Sequence, residues 1–468
     1  MKKHRSIGKW IVGIIVAFLI LSYLTGVVPV IIAEGRARKT DSETLLSEIE
    51  PDIEKQKREQ AERTVPECVL YIDDNEEALE KRIKLIDSAK ETVYFSTFDL
   101  QVDNSGKKLI KAMADAAERG VKVYVLLDGY HAQRSMPGNR DFLSFAALDG
   151  VKVKIYNPIE FLKPWESNYR LHEKMIVVDE KAYIAGGRNS NDLFLGQGKG
   201  KSHRKNRDRD LLVITPEDPS GKGSSKRMAE GFRELWNQPF NREFEGRANG
   251  KNKGSSKPGK RYDLENLYEG TVPVDSIVLM FSEPGNVCKK PTLWDAMISS
   301  MKKGREVLIE TPYYMADGKM ERDIENLGST GERTVNMILN SPDTSANPWG
   351  GSCLLFKRPF RNNKGINLFE YYGKHASHTK TVLVDDSLSL VGSFNMDMRS
   401  TYLDTELIMA VKSPELNRAL KKEAESRMKN SIKNGEKTEN SGNIKKNYLK
   451  RLLLVFMFIP DLLFFPLL

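Results

Sequence analysis

The chain contains the same polar pattern twice: a histidine, a lysine two residues later, an aspartate five residues after the lysine, and an asparagine ten residues after the aspartate. The first copy consists of His172, Lys174, Asp179 and Asn189, and the second of His378, Lys380, Asp385 and Asn395. An imidazole can attack phosphorus or transfer a proton, an ammonium group neutralises a phosphate, and an amide can hydrogen-bond its oxygens. Two copies in register indicate an internal repeat. They predict one site in which both sets converge on a single phosphate.

Each copy needs a strand and a following turn to position it. Alternate residues of a strand share one face, so the histidine and lysine of each copy are predicted to point the same way. Asp179 and Asp385 complete the predicted catalytic set, and we expect them to support the turns that follow the strands. Ser393 stands where the first copy has Gly187. A hydroxyl contact to phosphate is therefore predicted in one copy only.

The pattern predicts phosphoryl transfer without a metal or another cofactor. One imidazole would attack phosphorus while the other protonates the leaving alcohol. Two lysines and two asparagines, Asn189 and Asn395, would bind the phosphate oxygens as charge develops. The alternative is a structural histidine beside a surface lysine, which two registered copies disfavour.

This double pattern resembles the signature of the phospholipase D superfamily, and the residues flanking both asparagines resemble its cardiolipin synthase branch. The likeness extends from Val69 to Met409. It implies an α/β fold of two similar phospholipase D-type sandwich halves, related by a pseudo-two-fold axis around one active site. It also implies a phosphohistidine intermediate, with His172 as the nucleophile and His378 as the general acid and base.

In that superfamily, an acidic residue after each motif orients an imidazole. We carry this role over to Glu406, which precedes the apolar run from Leu407, and to Asp210, which precedes the run from Leu211. The alternative is an acid at a strand start in a surface turn, because spacing alone does not prove contact.

Strands and helices alternate along both halves of the chain. Thr92–Thr97 is rich in β-branched and aromatic residues, as is typical of a strand. Lys107–Arg119 is an amphipathic helix that should end at Gly120. Val121–Leu127 is a nearly continuous apolar run, typical of a buried parallel strand. The second half repeats this order from a predicted helix at Thr292–Lys303, which favours an α/β sheet in each half.

Changes of composition divide the chain into six predicted segments. They are an N-terminal transmembrane anchor (1–33), a charged juxtamembrane spacer (34–66), the first half (67–245), a basic glycine-rich linker (246–262), the second half (263–430), and a polar linker with an apolar tail (431–468).

Both ends of the chain are apolar. Trp10 to Ala33 is a 24-residue stretch without a charge, long enough to cross a bilayer as a helix. A cleaved signal peptide would have a shorter apolar region, so we expect a single-pass anchor in the cell membrane, with a cytoplasmic N-terminus and the catalytic part outside. Leu452 to Leu468 contains two prolines and is not predicted to span. It remains open whether this tail lies at a membrane interface or packs on the protein.

The 468 residues carry a formal net charge of +9, which suits an anionic membrane surface or nucleic acid. The anchor favours a phospholipid partner over nucleic acid, and no obligate protein partner is indicated. We therefore predict a membrane-anchored phosphatidyltransferase of the cardiolipin synthase type. The alternatives are a phospholipase D-type hydrolase and a phosphodiesterase acting on nucleic acid. A non-catalytic scaffold is disfavoured because both histidines and both lysines are present.

Overall fold

In the computed structural model, the described residues comprise 2–37, 39–160, 163, 166, 168–196, 205–246, 261–285, 289–329, 331–357, 359–360, 363, 365–438 and 446–457. They form two mixed nine-stranded sheets with helices packed around them. The predicted α/β class is confirmed.

The first sheet is built from nine strands, eight from the predicted first half and one, β10 (Val272–Pro273), from the residues that follow it. The strands before the turn at Asn157 are β1 (Cys68–Ile72), β2 (Thr92–Thr97), β3 (Lys122–Asp128) and β4 (Val151–Tyr156). The later ones are β5 (Lys174–Val178), β6 (Ala182–Gly186), β8 (Asp210–Ile214), β9 (Arg242–Glu243) and β10 (Val272–Pro273), while β7 (Asn206–Arg207) lies outside this sheet. Their spatial order is β10-β1-β8-β6-β5-β2-β3-β4-β9.

The second sheet repeats that arrangement. Its strands are β11 (Ser276–Phe281), β12 (Glu306–Glu310), β14 (Thr334–Asn340), β15 (Ile366–Tyr371), β17 (Thr381–Val384), β18 (Leu388–Gly392), β20 (Leu407–Lys412), β21 (Ser431–Lys433) and β22 (Glu436–Lys437). Three short strands lie outside it: β13 (Tyr314–Met315), β16 (Ala376–Ser377) and β19 (Met396–Asp397). The order β11-β20-β18-β17-β12-β14-β15 matches β1-β8-β6-β5-β2-β3-β4 strand for strand. The repeat in the sequence is thus a repeat of the fold.

Helices flank both sheets. The first eight are α1 (Lys2–Ala37), α2 (Ser42–Ala61), α3 (Asn75–Asp87), α4 (Asn104–Glu118), α5 (Gly129–Ser135), α6 (Arg140–Ala146), α7 (Asp192–Leu195) and α8 (Ser224–Trp236). The others are α9 (Thr292–Lys302), α10 (Gly318–Ser329), α11 (Pro348–Lys357), α12 (Met398–Tyr402), α13 (Pro414–Lys429) and α14 (Tyr448–Phe456), with a 3₁₀ turn at Leu264–Leu267.

Apolar packing joins the two halves into one body. One buried cluster contains residues of both sheets, including Leu211 and Val213 from β8 and Leu407 and Met409 from β20. Each half also has its own core beneath its helices. Because the shared cluster lies between the sheets, the halves form a continuous interface, at which the polar site also lies.

The predicted segment boundaries differ from the observed ones. The 3₁₀ turn at Leu264–Leu267 packs on the first core, and β10 pairs with β1, so residues up to Pro273 belong structurally to the first half. The second sheet continues to β22, beyond the predicted end at residue 430. Of the linker predicted at 246–262, residues 247–260 lie outside the described residues.

The segment predicted as a spacer contributes to the core. Helix α2 runs along β11, where the Gln56 amide donates to the Leu279 carbonyl at 2.8 Å and accepts from its N–H at 2.8 Å. Leu45 is buried. These contacts make α2 part of the second half, because its side chains satisfy a strand edge.

The N-terminal apolar stretch lies in helix α1. Across the described part of the chain, no helix meets the combined length and apolarity needed for a membrane crossing. The predicted transmembrane anchor is therefore not supported by the structure.

Candidate active site

The first histidine is positioned by a contact between the halves. Leu171 forms a parallel bridge with Thr405 of the second half, and the Thr405 N–H donates to the Arg170 carbonyl at 2.9 Å. The His172 N–H in turn donates to the Thr405 hydroxyl at 3.2 Å. The backbone before β5 is thereby fixed against the start of β20.

The second histidine is positioned by the reciprocal contact. Strand β16 pairs in parallel with β7 of the first half. The His378 N–H donates to the Arg207 carbonyl at 2.6 Å. Each half therefore supplies a short backbone segment beside the histidine of the other.

Each imidazole also receives a carboxylate from the opposite half. His172 Nδ1 lies 2.8 Å from Glu406 Oε1, and His378 Nδ1 lies 2.6 Å from Asp208 Oδ2. A carboxylate at Nδ1 favours the tautomer with the proton there, which leaves Nε2 unprotonated and able to act as a base or nucleophile. Neither half contains a complete imidazole–carboxylate pair, so the exchange makes both halves necessary to the site.

The prediction that Asp210 orients an imidazole is wrong, and Asp208 takes this position. Gly186 pairs with Asp210 and Gly392 pairs with Ile408, so the residue two places earlier is Asp208 in one half and Glu406 in the other. The Asp210 carboxylate instead accepts from Arg82 at 2.9 Å and Arg188 at 2.8 Å. Two buried guanidinium groups hold it away from the histidines.

Both motif lysines are buried beside their histidines. The Lys174 ammonium donates to the His172 carbonyl, and Lys380 Nζ lies 3.2 Å from His378 Nε2 and 3.7 Å from Asp208 Oδ2. Burial lowers the pKa of Lys174 to about 7 and also lowers that of Lys380. A phosphate would raise both pKa values, because its negative charge favours the ammonium form.

Burial also favours the neutral form of both imidazoles. It lowers the pKa of His172, with Glu406 opposing the shift. Burial and the charge of Lys380 lower the pKa of His378 to about 4, although Asp208 opposes this. The charge of Lys174 contributes to the same lowering, so the two motif copies interact across the site. Burial would raise the pKa of Glu406, but its interactions with His172, Lys174 and Ser393 together outweigh this and hold it at about 2.

The motif asparagines are buried, and their side-chain amides have unused hydrogen-bonding capacity. The Oδ1 atoms of Asn189 and Asn395 have no hydrogen-bond partner among the described residues. The oxygen and nitrogen of an amide exchange places by a half rotation, so either can be presented to a ligand. Buried amides of this kind suit a bound polar group.

Ser393 does not have the role predicted for it. Its hydroxyl donates to the Glu406 carboxylate and accepts from the Leu407 N–H at 3.0 Å. It therefore positions Glu406 instead of pointing to a phosphate. At the equivalent position, a Cβ on Gly187 would lie 2.4 Å from Asp208 Oδ1, so glycine makes room for the other carboxylate.

The motif aspartates hold turns. Asp179 accepts from the N–H groups of residues 90, 91 and 92 at 2.8–2.9 Å, and Asp385 accepts from those of residues 305 and 306 at 2.8 and 2.9 Å. Both have left-handed backbones, with φ of 52° and 48°, a conformation that aspartate tolerates better than most residues. They connect strands that carry the site.

Two aromatic rings beside the histidines were not predicted. Phe98 meets His172 edge-to-face with ring centroids 5.1 Å apart, and Phe194 meets His378 at 5.0 Å. They lie in unequal sequence contexts, one after β2 and the other in α7, so no repeat marks them. The packing restricts rotation of each imidazole.

A buried ion network joins the halves behind the site. Arg209 donates to both oxygens of Asp73 at 2.8 and 3.0 Å and to Glu310 of the second half at 2.8 Å. Arg427 also donates to Glu310, at 2.6 Å. Because Arg209 follows Asp208 directly, the network fixes the backbone that presents Asp208 to His378.

We expect Arg209→Met to lower activity about tenfold to a hundredfold, through displacement of Asp208, and to destabilise the fold by about 3–5 kcal/mol. Arg82→Met is the matched control, since Arg82 is also buried and pairs with Asp210 within the first half. Both variants should melt at lower temperature, measured by calorimetry. Only Arg209→Met should shift the pH–rate profile, and an equal shift in both would contradict a positioning role.

Within the described ranges, no group of three or more His, Cys, Asp or Glu side chains is arranged to hold a metal ion.

Comparison with known proteins identifies the family to which both halves of the chain are similar. The family described as "Cardiolipin synthase, PLD-like domain" matches residues 83–236 and 296–428, one segment in each half. The cardiolipin synthase of Clostridium perfringens (strain 13 / Type A) is 24% identical over 363 residues, which cover 76% of this chain and 68% of that protein. Cardiolipin synthase B of Shigella flexneri is 24% identical over 362 residues, covering 75% and 78%.

A solved structure shows the same fold. The phosphatidylserine synthase of Haemophilus influenzae Rd KW20 superimposes with a TM-score of 0.60 at 17% identity, covering 88% of this chain and 100% of that one. The family match and the superposition both extend over the two halves of the chain. The chain belongs to the phospholipase D superfamily, among its cardiolipin synthase-like members.

Proposed function

We propose that the protein is a phosphatidyltransferase that moves a phosphatidyl group from one phosphatidylglycerol molecule to another, forming cardiolipin and releasing glycerol. The observation that carries this proposal is the pair of imidazole–carboxylate dyads, His172 with Glu406 and His378 with Asp208, each shared between the halves. Such a pair can attack a phosphodiester and protonate its leaving group at one centre.

In the first step, Nε2 of His172 attacks phosphorus and the bond to the glycerol oxygen breaks. His378 donates a proton to that oxygen, and glycerol leaves. The product is a phosphatidyl group bonded to His172. The charge on the equatorial oxygens is neutralised by Lys174 and Lys380, which are buried and hence little screened by water.

In the second step, His378 is neutral and accepts a proton from a hydroxyl of a second phosphatidylglycerol. That oxygen attacks phosphorus, and the bond to His172 breaks. The lowered pKa of His378, about 4 in the free enzyme, favours the neutral form that can accept this proton. The negative charge of bound phosphate would raise that pKa in the first step, where His378 must carry a proton.

We further propose that the protein works at a membrane. Large apolar side chains of helix α1 are exposed, among them Trp10, Val12 and Ile14. Exposed apolar surface of this extent is typical of lipid or protein contact. A phospholipid substrate favours lipid, and the same argument disfavours a phosphodiesterase acting on nucleic acid.

The proposal is tested by incubating the purified full chain with phosphatidylglycerol vesicles and separating the lipid products. We expect cardiolipin and an equimolar amount of glycerol. Phosphatidic acid alone would mean that water is the acceptor and the protein is a hydrolase with the same first step. If neither cardiolipin nor phosphatidic acid formed, phosphatidyl transfer from this lipid would be refuted.

A chelator is expected to leave this activity largely intact, because two buried lysines supply the positive charge that the phosphate requires. The measurement compares initial rates with and without excess EDTA. A rate that falls to background and returns on addition of a divalent ion would contradict this expectation.

A further inference from the structure

The last described helix, α14, is attached to the protein by one face. The Lys450 ammonium donates to the carbonyls of Asp343 and Ser345 at 2.7 and 2.9 Å. The Arg451 guanidinium donates to the Asp343 carboxylate at 2.8 Å and to the Tyr372 hydroxyl at 3.0 Å. These directed contacts fix the rotation of the helix about its axis.

Packing confirms the same inner face. Leu454 is 3% exposed and approaches Gly351 of α11, where an added Cβ would lie 3.2 Å from Leu454 Cδ1. The two basic residues and Leu454 thus all point inward. Because α14 directs these three side chains toward the protein, its other side chains form the outer face.

That outer set is apolar. Its members are 45–78% exposed, and they are Tyr448, Leu449, Leu452, Leu453, Val455 and Phe456. This outer face of α14 reverses the usual pattern of a surface helix, in which apolar residues face the core. The sequence continues beyond it as a largely apolar run to Leu468.

The helix is also connected to the active site through the segment that follows β14. Its anchor, Asp343, follows β14 by three residues. At the end of β14, Asn340 donates to the Ser377 carbonyl at 2.6 Å and accepts from the Ser377 N–H at 2.9 Å. The next residue is His378. One short segment therefore holds both the backbone before the catalytic histidine and the base of α14.

We propose that the outer face of α14 is a membrane-contact surface that inserts at the boundary between headgroups and acyl chains and holds the active site against an anionic bilayer. The inference rests on the proposed function, because a site for phospholipids must meet its substrate in a membrane. Apolar and aromatic side chains on one helix face are what such insertion requires.

The charges favour a lipid surface over a second copy of the chain. The exposed Lys446 precedes α14, the sequence places Lys445 before it, and the whole chain carries a net charge of +9. Anionic headgroups complement such a flank. Two copies meeting through this face would bring the same cations together.

The test compares Leu452→Glu/Leu453→Glu with the wild type on two forms of phosphatidylglycerol, vesicles and short-chain monomers below their micelle concentration. We expect the vesicle rate to fall at least about tenfold, since charged side chains resist insertion, and the monomer rate to stay within about twofold. Val65→Glu, which changes an exposed apolar residue far from α14 in the chain, serves as a control and should alter neither rate. Unchanged vesicle turnover, or an equal fall on both substrates, would overturn the proposal.

A second measurement does not depend on catalysis. A tryptophan introduced by Leu452→Trp should be quenched by brominated lipids in phosphatidylglycerol vesicles, whereas one introduced by Val65→Trp should not. Absence of extra quenching from Leu452→Trp would refute membrane contact, as would a change of sedimentation showing that the face is covered by a second copy. If the wild type turned over neither lipid form but the quenching were observed, the proposed function would fail while the contact surface stood.

Discussion

Replacing His172 by alanine is expected to abolish turnover. The imidazole is held by Glu406 at Nδ1 and by the Phe98 ring at its edge, beside the buried Lys174 of the same motif. Loss of a covalent nucleophile removes the two-step route altogether, so the rate should fall by more than about ten-thousandfold. No phosphoenzyme should form with any phosphodiester.

His378→Ala is expected to fail in a different way. Loss of general acid–base help costs on the order of a hundredfold to ten-thousandfold. With a p-nitrophenyl phosphodiester, whose leaving group needs no proton, this variant should still form the intermediate. Rapid-quench trapping of labelled substrate distinguishes the two variants. Trapping in His172→Ala and not in His378→Ala would exchange the roles, and near-normal turnover in either would refute the mechanism.

The second large effect is expected when the carboxylates exchanged between the halves are neutralised. Glu406→Gln and Asp208→Asn keep the shape of each side chain but remove the charge that orients and stabilises the imidazole. Each should lower the rate by about a hundredfold to ten-thousandfold. Asp210→Asn is the matched control, because its buried carboxylate lies two residues from Asp208 and pairs with arginines. It should reduce stability with a much smaller effect on rate.

The pH–rate profiles of these variants should also separate the two histidines. Glu406 raises the pKa of His172 and Asp208 raises that of His378, so removing either charge lowers the corresponding pKa. Glu406→Gln should therefore move the acidic limb of the profile to lower pH, because His172 then remains unprotonated down to a lower pH. Asp208→Asn should move the alkaline limb to lower pH, because the general acid loses its proton sooner. Equal shifts in the Asp210→Asn control would contradict this account.

Much of the framework could be predicted from local pattern. The predicted strand Thr92–Thr97 coincides with β2, and the predicted strand Val121–Leu127 corresponds to β3 with a shift of one residue, because β-branched and apolar runs of that length favour buried strands. The strand at Ile366–Tyr371 was not predicted, since its apolar residues are interrupted by polar ones. The spacing of the two motifs anticipated the repeated order of seven strands.

The pairing of the dyads could not be predicted from the same pattern. Which carboxylate meets which imidazole depends on how two sheets pack, and sequence distance carries no information about that exchange. Asp210 was the natural candidate because it adjoins the apolar run of β8, yet register places Asp208 opposite His378. The intervening Arg209 points to the ion network between the halves, a partner far away in sequence.

The most direct measurement of the central claim is identification of the modified residue. The wild-type protein is mixed with phosphatidylglycerol, quenched in alkali to preserve phosphohistidine, digested, and analysed by mass spectrometry. We expect a phosphatidyl adduct, or the glycerophosphoryl group left when alkali removes its acyl chains, on the peptide that contains His172. A protein that makes cardiolipin while carrying no adduct on either His172 or His378 would contradict covalent catalysis by this site.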